Sequence, residues 1–331
     1  MDSTCSIILA AGKGTRLKSD LPKVLHEILG HPLIFYSLAL AGDVSRSMIA
    51  VVGHGRDLVM SYLDTFPVKI AVQEPQLGTG HAILMAKGAL DQTNTLDVLI
   101  LPGDMPLIRK ESLRGLLSSF HQAEADVGIL TARIQDPFGY GRIVRDRSGK
   151  VNRIVEHNDA TEDERAINEI NTSVYVMNKA FLLSSVERLC PQNTKGELYL
   201  TDVVAMASKV VSYTVTDPDE AHGINSRGQL AFAQERMQQR INCGHMDDGV
   251  TLEDPSTIWI GPAVRIGRDV RVWPGTHILG SSRIEDGVTI MPNAWIRESH
   301  IGPDSLIGAG CVIENKTIGR QSTIAPHTLL G

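Results

Sequence analysis

The residues best suited to chemistry lie where small side chains and cations share a turn. Leu9-Ala10-Ala11-Gly12-Lys13-Gly14-Thr15-Arg16-Leu17 is followed by Leu21-Pro22-Lys23. Gly and Ala leave the backbone open, so successive N–H groups can approach phosphate oxygens, while Arg16 and Lys23 bring two cations to the same mouth. The run holds a G-x-G but neither the third glycine of a dinucleotide fingerprint nor the GK[ST] ending of a Walker loop. A tight turn with two exposed basic residues is the plain alternative. Downstream, Gly103-Asp104 puts a carboxylate after an apolar run, where it could hold Mg²⁺ beside a polyphosphate. An Asp in that place also caps helices and forms turns, and Asn225 reads equally well as a helix cap. His54, His81 and His157 have no accompanying Ser, Cys or paired-carboxylate motif, so structural roles are expected of them.

Two unlike patterns must position these groups. Up to about residue 225, short apolar runs alternate with amphipathic segments. Strands are predicted from Cys5 to Ala10, Met48 to Val52, Val68 to Val72 and Asp97 to Leu101, and helices from His31 to Leu40, Arg56 to Leu63 and His81 to Leu90. Further strands are expected from Val127 to Ala132, Arg142 to Val144, Arg153 to Glu156 and Ile170 to Met177, with helices near Lys179 to Leu189 and Tyr199 to Ser208. Strand and helix in turn predict an α/β, Rossmann-like domain with a mostly parallel sheet covered on both faces. Ligands of such sheets bind beyond the carboxyl ends of the strands, so the loops that follow them matter most.

From Ser226 to about Cys243 the chain reads as one polar, amphipathic connecting helix. Beyond it, Ile260, Ile266, Val272, Ile278, Ile284, Ile290 and Ile296 recur every six residues. A five-residue step leads to Ile301, Ile307 and Ile313, and another to Ile318 and Ile324. Small or β-branched residues such as Val264, Val270, Thr276, Ser282, Val288 and Ala294 sit four places later. Period six fits short strands wound into a prism, each aliphatic pointing inward. The stretch resembles the hexapeptide-repeat left-handed parallel β-helix; with three hexads per coil, residues 260 to 331 supply about four coils. The expected organisation is therefore 1–225 catalytic, 226–249 connecting and 250–331 β-helical.

Composition narrows the function classes. Of 331 residues, 42% are apolar and 21% charged, which places the chain among globular proteins. Lys and Arg number 32 against 38 Asp and Glu, a net charge of −6 without blocks of like sign, which disfavours nucleic acid as a partner. No apolar run approaches the roughly 18 residues of a spanning helix and no signal peptide is apparent, so a cytoplasmic protein without a membrane partner is expected. Cys5, Cys190, Cys243 and Cys311 show no CxxC pair and read as reduced.

LAAGKGTR, with Lys23 seven residues beyond Arg16, resembles the signature of sugar-phosphate nucleotidyltransferases. Gln73 to Ala82 (QEPQLGTGHA), Gly139-Tyr140-Gly141-Arg142, Val155-Glu156-His157, Glu169-Ile170-Asn171-Thr172, Gly196 to Asp202 (GELYLTD) and Gly223-Ile224-Asn225 narrow the likeness. Together with the β-helix, the chain is similar along its whole length to the bifunctional N-acetylglucosamine-1-phosphate uridyltransferase/glucosamine-1-phosphate acetyltransferase family. The resemblance implies transfer of a uridylyl group from UTP to N-acetylglucosamine 1-phosphate, feeding cell-wall and lipopolysaccharide precursors. It implies Mg²⁺ on Asp104 and Asn225, and catalytic roles for Arg16 and Lys23. By the same likeness Leu9, Ala10, Ala11, Gly12, Gln73, Gly78 and Thr79 hold the nucleotide, with Gly103 beside Asp104, and Gly141, Glu156 and Asn171 hold the amino sugar. Tyr199 and Thr201 either line the same pocket or serve as core and N-cap.

One departure stands out: many family members carry an aromatic residue before Gly-Asp, where this chain has Pro102. A contact to the substrate is expected to be lost there. In the family, the acetyltransferase site lies in the later coils and is built between subunits. With about four coils present, acetyl transfer is not expected of this chain, whereas a homotrimer through the β-helix is. Two other readings stay open from residues alone: a related pyrophosphorylase of different specificity, and a silent scaffold. The scaffold would be expected to have lost part of the charged set, and none is lost.

Overall fold

Thr4–Ala10 is buried at almost every position, as befits a strand covered on both faces of a mostly parallel sheet. This strand, β1, lies at the centre of the first of two compact units in a computed structural model describing residues 4–331. The first unit comprises residues up to His26 with Pro32–Gln229; the second comprises Glu27–His31 with Leu230–Gly331.

After β1, the chain forms the short β2 (Glu27–Ile28) and β3 (His31–Pro32), then α1 (Leu33–Val44), β4 (Ser47–Val52), α2 (Arg56–Leu63) and β5 (Lys69–Val72). Next come α3 (Thr79–Asp91), β6 (Asp97–Pro102), α4 (Lys110–Gln122), β7 (Val127–Arg133), β8 (Arg142–Arg145) and β9 (Val151–Val155). The series closes with α5 (Glu162–Arg165), β10 (Glu169–Asn178), α6 (Lys179–Val186), β11 (Val210–Thr214) and α7 (Arg227–Asp247). The main sheet runs β11-β7-β10-β6-β1-β4-β5, with β8 and β9 branching from β10. The sheet is mostly parallel, β10 running against both β6 and β7.

Alternation along β1 sends Ile8 and Ala10 to a core with Ile34, Leu38, Val59, Leu116 and Phe120, and Cys5 and Ile7 to the opposite core with Ile83, Ala86, Leu90, Leu182 and Val186. Because β4 and β6 flank β1 on opposite sides, the strand order reverses there. The crevice beyond the carboxyl ends of β1 and β6 is where such a sheet receives ligands.

Several expectations need correction. The segment from Tyr199 to Ser208 is a 3-10 helix, Leu200–Met206. A three-residue period aligns Leu200 with Val203 and Thr201 with Val204, and all four are buried, which a 3.6-residue period would splay apart. The helix expected from His31 begins at Leu33, since Pro32 holds His31 out of the helical region. Helix α4 and strand β11 went unanticipated, as did the Glu27–Pro32 hairpin.

In the second unit the phased aliphatics form inward rows. Three parallel sheets of five, five and four short strands wind one strand per face. Ile260 pairs with Ile278, Ile278 with Ile296 and Ile296 with Ile313. Ile266, Ile284, Ile301 and Ile318 form a second row. Arg265 pairs with Arg283 but Arg283 with His300, so the five-residue step shortens a coil by one residue without breaking the row. Helix α7 extends to Asp247, beyond the expected Cys243, and its polar side chains are not all solvated. Gln238 Nε2 and Asn242 Nδ2 both donate to the Ile258 carbonyl, at 2.7 and 2.9 Å.

Candidate functional site

The two carboxyl-terminal loops of the crevice are tied at their roots. The Gly103 N–H donates to the Leu9 carbonyl at 2.9 Å, and a Cβ on Gly103 would stand 3.1 Å from that oxygen. The His54 N–H donates to the Ala11 carbonyl. Beyond Ala11 the chain opens, with nothing near the place a Gly12 Cβ would take. Gly14 turns in the left-handed region at φ +62°, and a Cβ there would lie 2.6 Å from Lys23 Cβ. Glycine is therefore required for the first part of the signature to pack against its Pro22-Lys23 part.

That contact aims Lys23 at two oxygens. Its ammonium pairs with the Asp104 carboxylate and donates to Asn225 Oδ1 at 2.9 Å. The Ile224 N–H donates to the Asp104 carbonyl at 3.0 Å, which sets Asn225 beside Asp104 although 121 residues separate them. Asn225 Nδ2 leans toward the Gly223 carbonyl at 3.4 Å, and the Asn225 N–H is taken by Gln229 Oε1. Two oxygen donors thus converge on one point that a cation fills, which is what a small hard ion needs of its protein ligands. Arg16 is exposed and makes no ion pair or hydrogen bond among the described residues.

The flank beyond β4 and β5 is held by Gln73, whose N–H donates to the Val52 carbonyl and whose Nε2 donates to the Gly78 carbonyl at 2.8 Å. The ring of His81 stands 3.3 Å from the same Nε2. Gly78 has φ +104°, and a Cβ there would come within 2.6 Å of the Leu198 carbonyl. Thr79 Oγ1 accepts the Leu200 N–H at 3.0 Å.

A cavity of about 200 Å³ opens among Pro102, Asp104, Tyr140, Gly141, Glu156, Asn171 and Asn225. Its floor is buried. Burial pushes the Glu156 carboxyl above the usual carboxylate range, against a lowering hydrogen bond from Thr201 Oγ1 at 3.4 Å. A Cβ on Gly141 would meet Ile154 at 3.1 Å and Glu156 Oε1 at 3.4 Å, so this residue lets the backbone pass close to the carboxylate. The Asn171 N–H donates to the Gly141 carbonyl, while Asn171 Nδ2 donates to the Tyr175 hydroxyl at 2.7 Å and Oδ1 accepts the Ser173 N–H. Burial raises the Tyr140 phenol, with Asp104 adding to the shift, and pushes Tyr199 up to about 12. The Pro102 carbonyl accepts from Ser37 Oγ at 2.7 Å. His157 packs edge-on to Phe138 and lies 3.5 Å from Arg142 Nη2.

Of the residues singled out from sequence, Asp104, Gly141, Glu156, Asn171 and Asn225 share this one cavity, and Lys23 reaches its Asp104/Asn225 edge. Leu9, Ala10, Ala11, Gly12, Gln73, Gly78, Thr79 and Arg16 lie outside its lining. Thr201 donates to Glu156, and the 3-10 helix has Tyr199 rather than Thr201 at its N-cap position; Tyr199 is buried and outside the cavity's lining. Two residues were missed. Tyr140 stood inside the Gly-Tyr-Gly-Arg motif, and Tyr175, four places beyond Asn171, read as strand core.

Residues 6–173 match the MobA-like NTP transferase domain, and residues 263–298 match the bacterial transferase hexapeptide (six repeats). The chain is 46% identical over 305 residues to the bifunctional protein GlmU of Geobacter metallireducens, covering 90% of this chain and 64% of that protein. It is 40% identical to GlmU of Geobacter sulfurreducens, over 98% of this chain and 73% of that protein. Against GlmU of Thermoanaerobacter pseudethanolicus the identity is 43%, over 100% of this chain and 74% of that protein. The chain thus spans just under two thirds of the first relative and almost three quarters of the other two.

Proposed function

The chain belongs to the GlmU family, and on that premise we propose that it transfers a uridylyl group from UTP to N-acetylglucosamine 1-phosphate, releasing pyrophosphate and UDP-N-acetylglucosamine. The observation that carries this reading is the single cavity in which Asp104 and Asn225 meet Gly141, Glu156 and Asn171. One end suits a polyphosphate and its cation, the other a polyhydroxylated amide. We assign transfer to residues 1–225, with 226–249 as the connector to a β-helix at 250–331, and place the protein in the cytoplasm.

The attacking group is a phosphomonoester whose second pKa is near 6, so it is already largely dianionic at neutral pH and needs no side-chain base. The protein must align two anions that repel each other and neutralise the charge that gathers on the leaving pyrophosphate. Gly12 and its neighbours offer open backbone to the phosphates, and Gln73 matches donors and acceptors on the uracil edge. Arg16 is exposed and can turn to incoming phosphate. Lys23 brings a second cation to the same place. Asp104 and Asn225 would hold Mg²⁺, for their oxygens already converge on one cation. When bound, that ion supplies a template and a Lewis acid for the phosphates. Glu156 accepts from sugar hydroxyls, and Asn171 reads the acetamido group.

Pyrophosphate release from UTP, Mg²⁺ and N-acetylglucosamine 1-phosphate, with other nucleotides and sugar phosphates as controls, tests the proposal. Silence with every pair would sink it, and preference for another pair would redirect its specificity. Subunit association we assign to the β-helix as a homotrimer; a monomer by light scattering would refute that assignment.

A further inference from the structure

The hydrogen bond between Asn171 and Tyr175 joins two residues of one strand that ordinary strand geometry keeps apart. At a rise of about 3.3 Å per residue, positions four apart in an extended strand are separated by roughly 13 Å. Here Asn171 Nδ2 stands 2.7 Å from the Tyr175 hydroxyl. The strand achieves this by breaking its ladder: Asn171 faces Thr131, while Tyr175 faces Ile129, so four steps on β10 match two on β7. Between them Ser173 takes φ +63°, a left-handed value that a serine adopts only where its surroundings hold it. Thr172 supplies that hold. Its hydroxyl donates to the Leu130 carbonyl at 2.7 Å and lies within 3.4 Å of the Val174 N–H.

The result fixes the amide of Asn171 at both ends. Its nitrogen donates to Tyr175, and its oxygen accepts the Ser173 N–H at 3.0 Å. A flipped amide would set two donors against each other at Ser173, so only one orientation is satisfied. One N–H and one oxygen lone pair remain, the complement of a secondary amide with one carbonyl and one N–H. Tyr175 is 2% exposed and does not line the cavity. Burial pushes its phenol far above the ordinary range, so the hydroxyl stays neutral throughout the working pH range.

We propose that Tyr175 is a positioning residue for specificity, and that the β10 bulge exists to let its hydroxyl lock Asn171 in the one orientation that reads an N-acyl amino sugar. This rests on the reading that the cavity takes N-acetylglucosamine 1-phosphate. The test is Tyr175→Phe, which keeps the ring and removes the hydroxyl. The expected result is a rise of about tenfold in KM for N-acetylglucosamine 1-phosphate, the scale of one hydrogen bond, with kcat and the KM for UTP within about twofold of wild type. Preference over glucose 1-phosphate, which lacks the acetamido group, should fall by the same factor. An unchanged sugar KM overturns the proposal. So does a parallel loss of UTP affinity, turnover or folding, which would make Tyr175 a core residue only. Wild-type enzyme inactive with this sugar would instead overturn the functional reading, an outcome visible before any variant is made.

Discussion

The rim we assign to phosphate and the pocket we assign to the sugar are built on opposite plans. On the rim, Arg16 is exposed with no ion pair or hydrogen bond among the described residues, Gly12 faces open space, and Lys23 rests on the protein's own Asp104 and Asn225. In the pocket, the Asn171 amide is bonded at both ends and the half-buried Glu156 accepts from Thr201. Under that assignment the difference follows from the ligands. Polyphosphate brings its own charge and is recognised by groups that can rearrange around it, whereas a neutral sugar must be told from its isosteres by fixed donors and acceptors. Rim variants should therefore act on turnover, and pocket variants on affinity.

The largest effect that would sharpen this contrast is expected from Arg16→Ala, a fall in turnover on the order of a hundredfold, the scale of losing one charge-stabilising donor. Near-normal kcat would remove Arg16 from the rim's work. Asp104→Ala should raise the Mg²⁺ concentration for half-maximal activity by at least about tenfold, since even outer-shell changes around a metal have that effect; an identical metal titration would return Asp104 to a turn residue. In the pocket, burial raises the Glu156 pKa, so its proton leaves only at a pH above the usual glutamate range of about 4.3. Activity at low sugar concentration should accordingly fall as pH drops through that raised value. Glu156→Gln should remove this acid limb and weaken sugar affinity about fivefold at neutral pH, the scale of one hydrogen bond. The substrate's own titration near pH 6 is common to both profiles, so their difference isolates Glu156. Smallest is Thr201→Val. Losing the hydrogen bond that lowers Glu156 should move the acid limb upward, with less than about a threefold change at neutral pH; a limb moving downward would contradict the assignment.

How much of this was legible depended on whether the signal was local. Period six with one five-residue step aligned Ile260, Ile278, Ile296 and Ile313, because each coil repeats the same local geometry. Most strands of the main sheet were visible as apolar runs, whereas β11 (VVSYT) was not read as one. Helix α4 carries Leu113, Leu116, Leu117 and Phe120 at helical spacing, so its signal was present and unread. Motifs marked Asp104, Asn225, Glu156 and Asn171, but not that Lys23 joins the first two, since Lys23 and Asn225 stand 202 residues apart. Tyr175 was illegible for a subtler reason. Counted along a regular strand from Ile170 to Met177, it cannot reach Asn171, and nothing in Asn-Thr-Ser-Val announces the broken ladder.

Gln238 and Asn242 carry a consequence of their own. The strand Trp259–Ile260 begins its ladder and has a neighbour on one side only. An open ladder end is a template on which another strand can grow. Here the Ile258 carbonyl at that end is already taken by two amide side chains from helix α7, both almost completely buried. That acceptor is therefore not free to receive a strand from another copy, and this face of the first coil is closed at the Ile258 carbonyl by the chain's own helix.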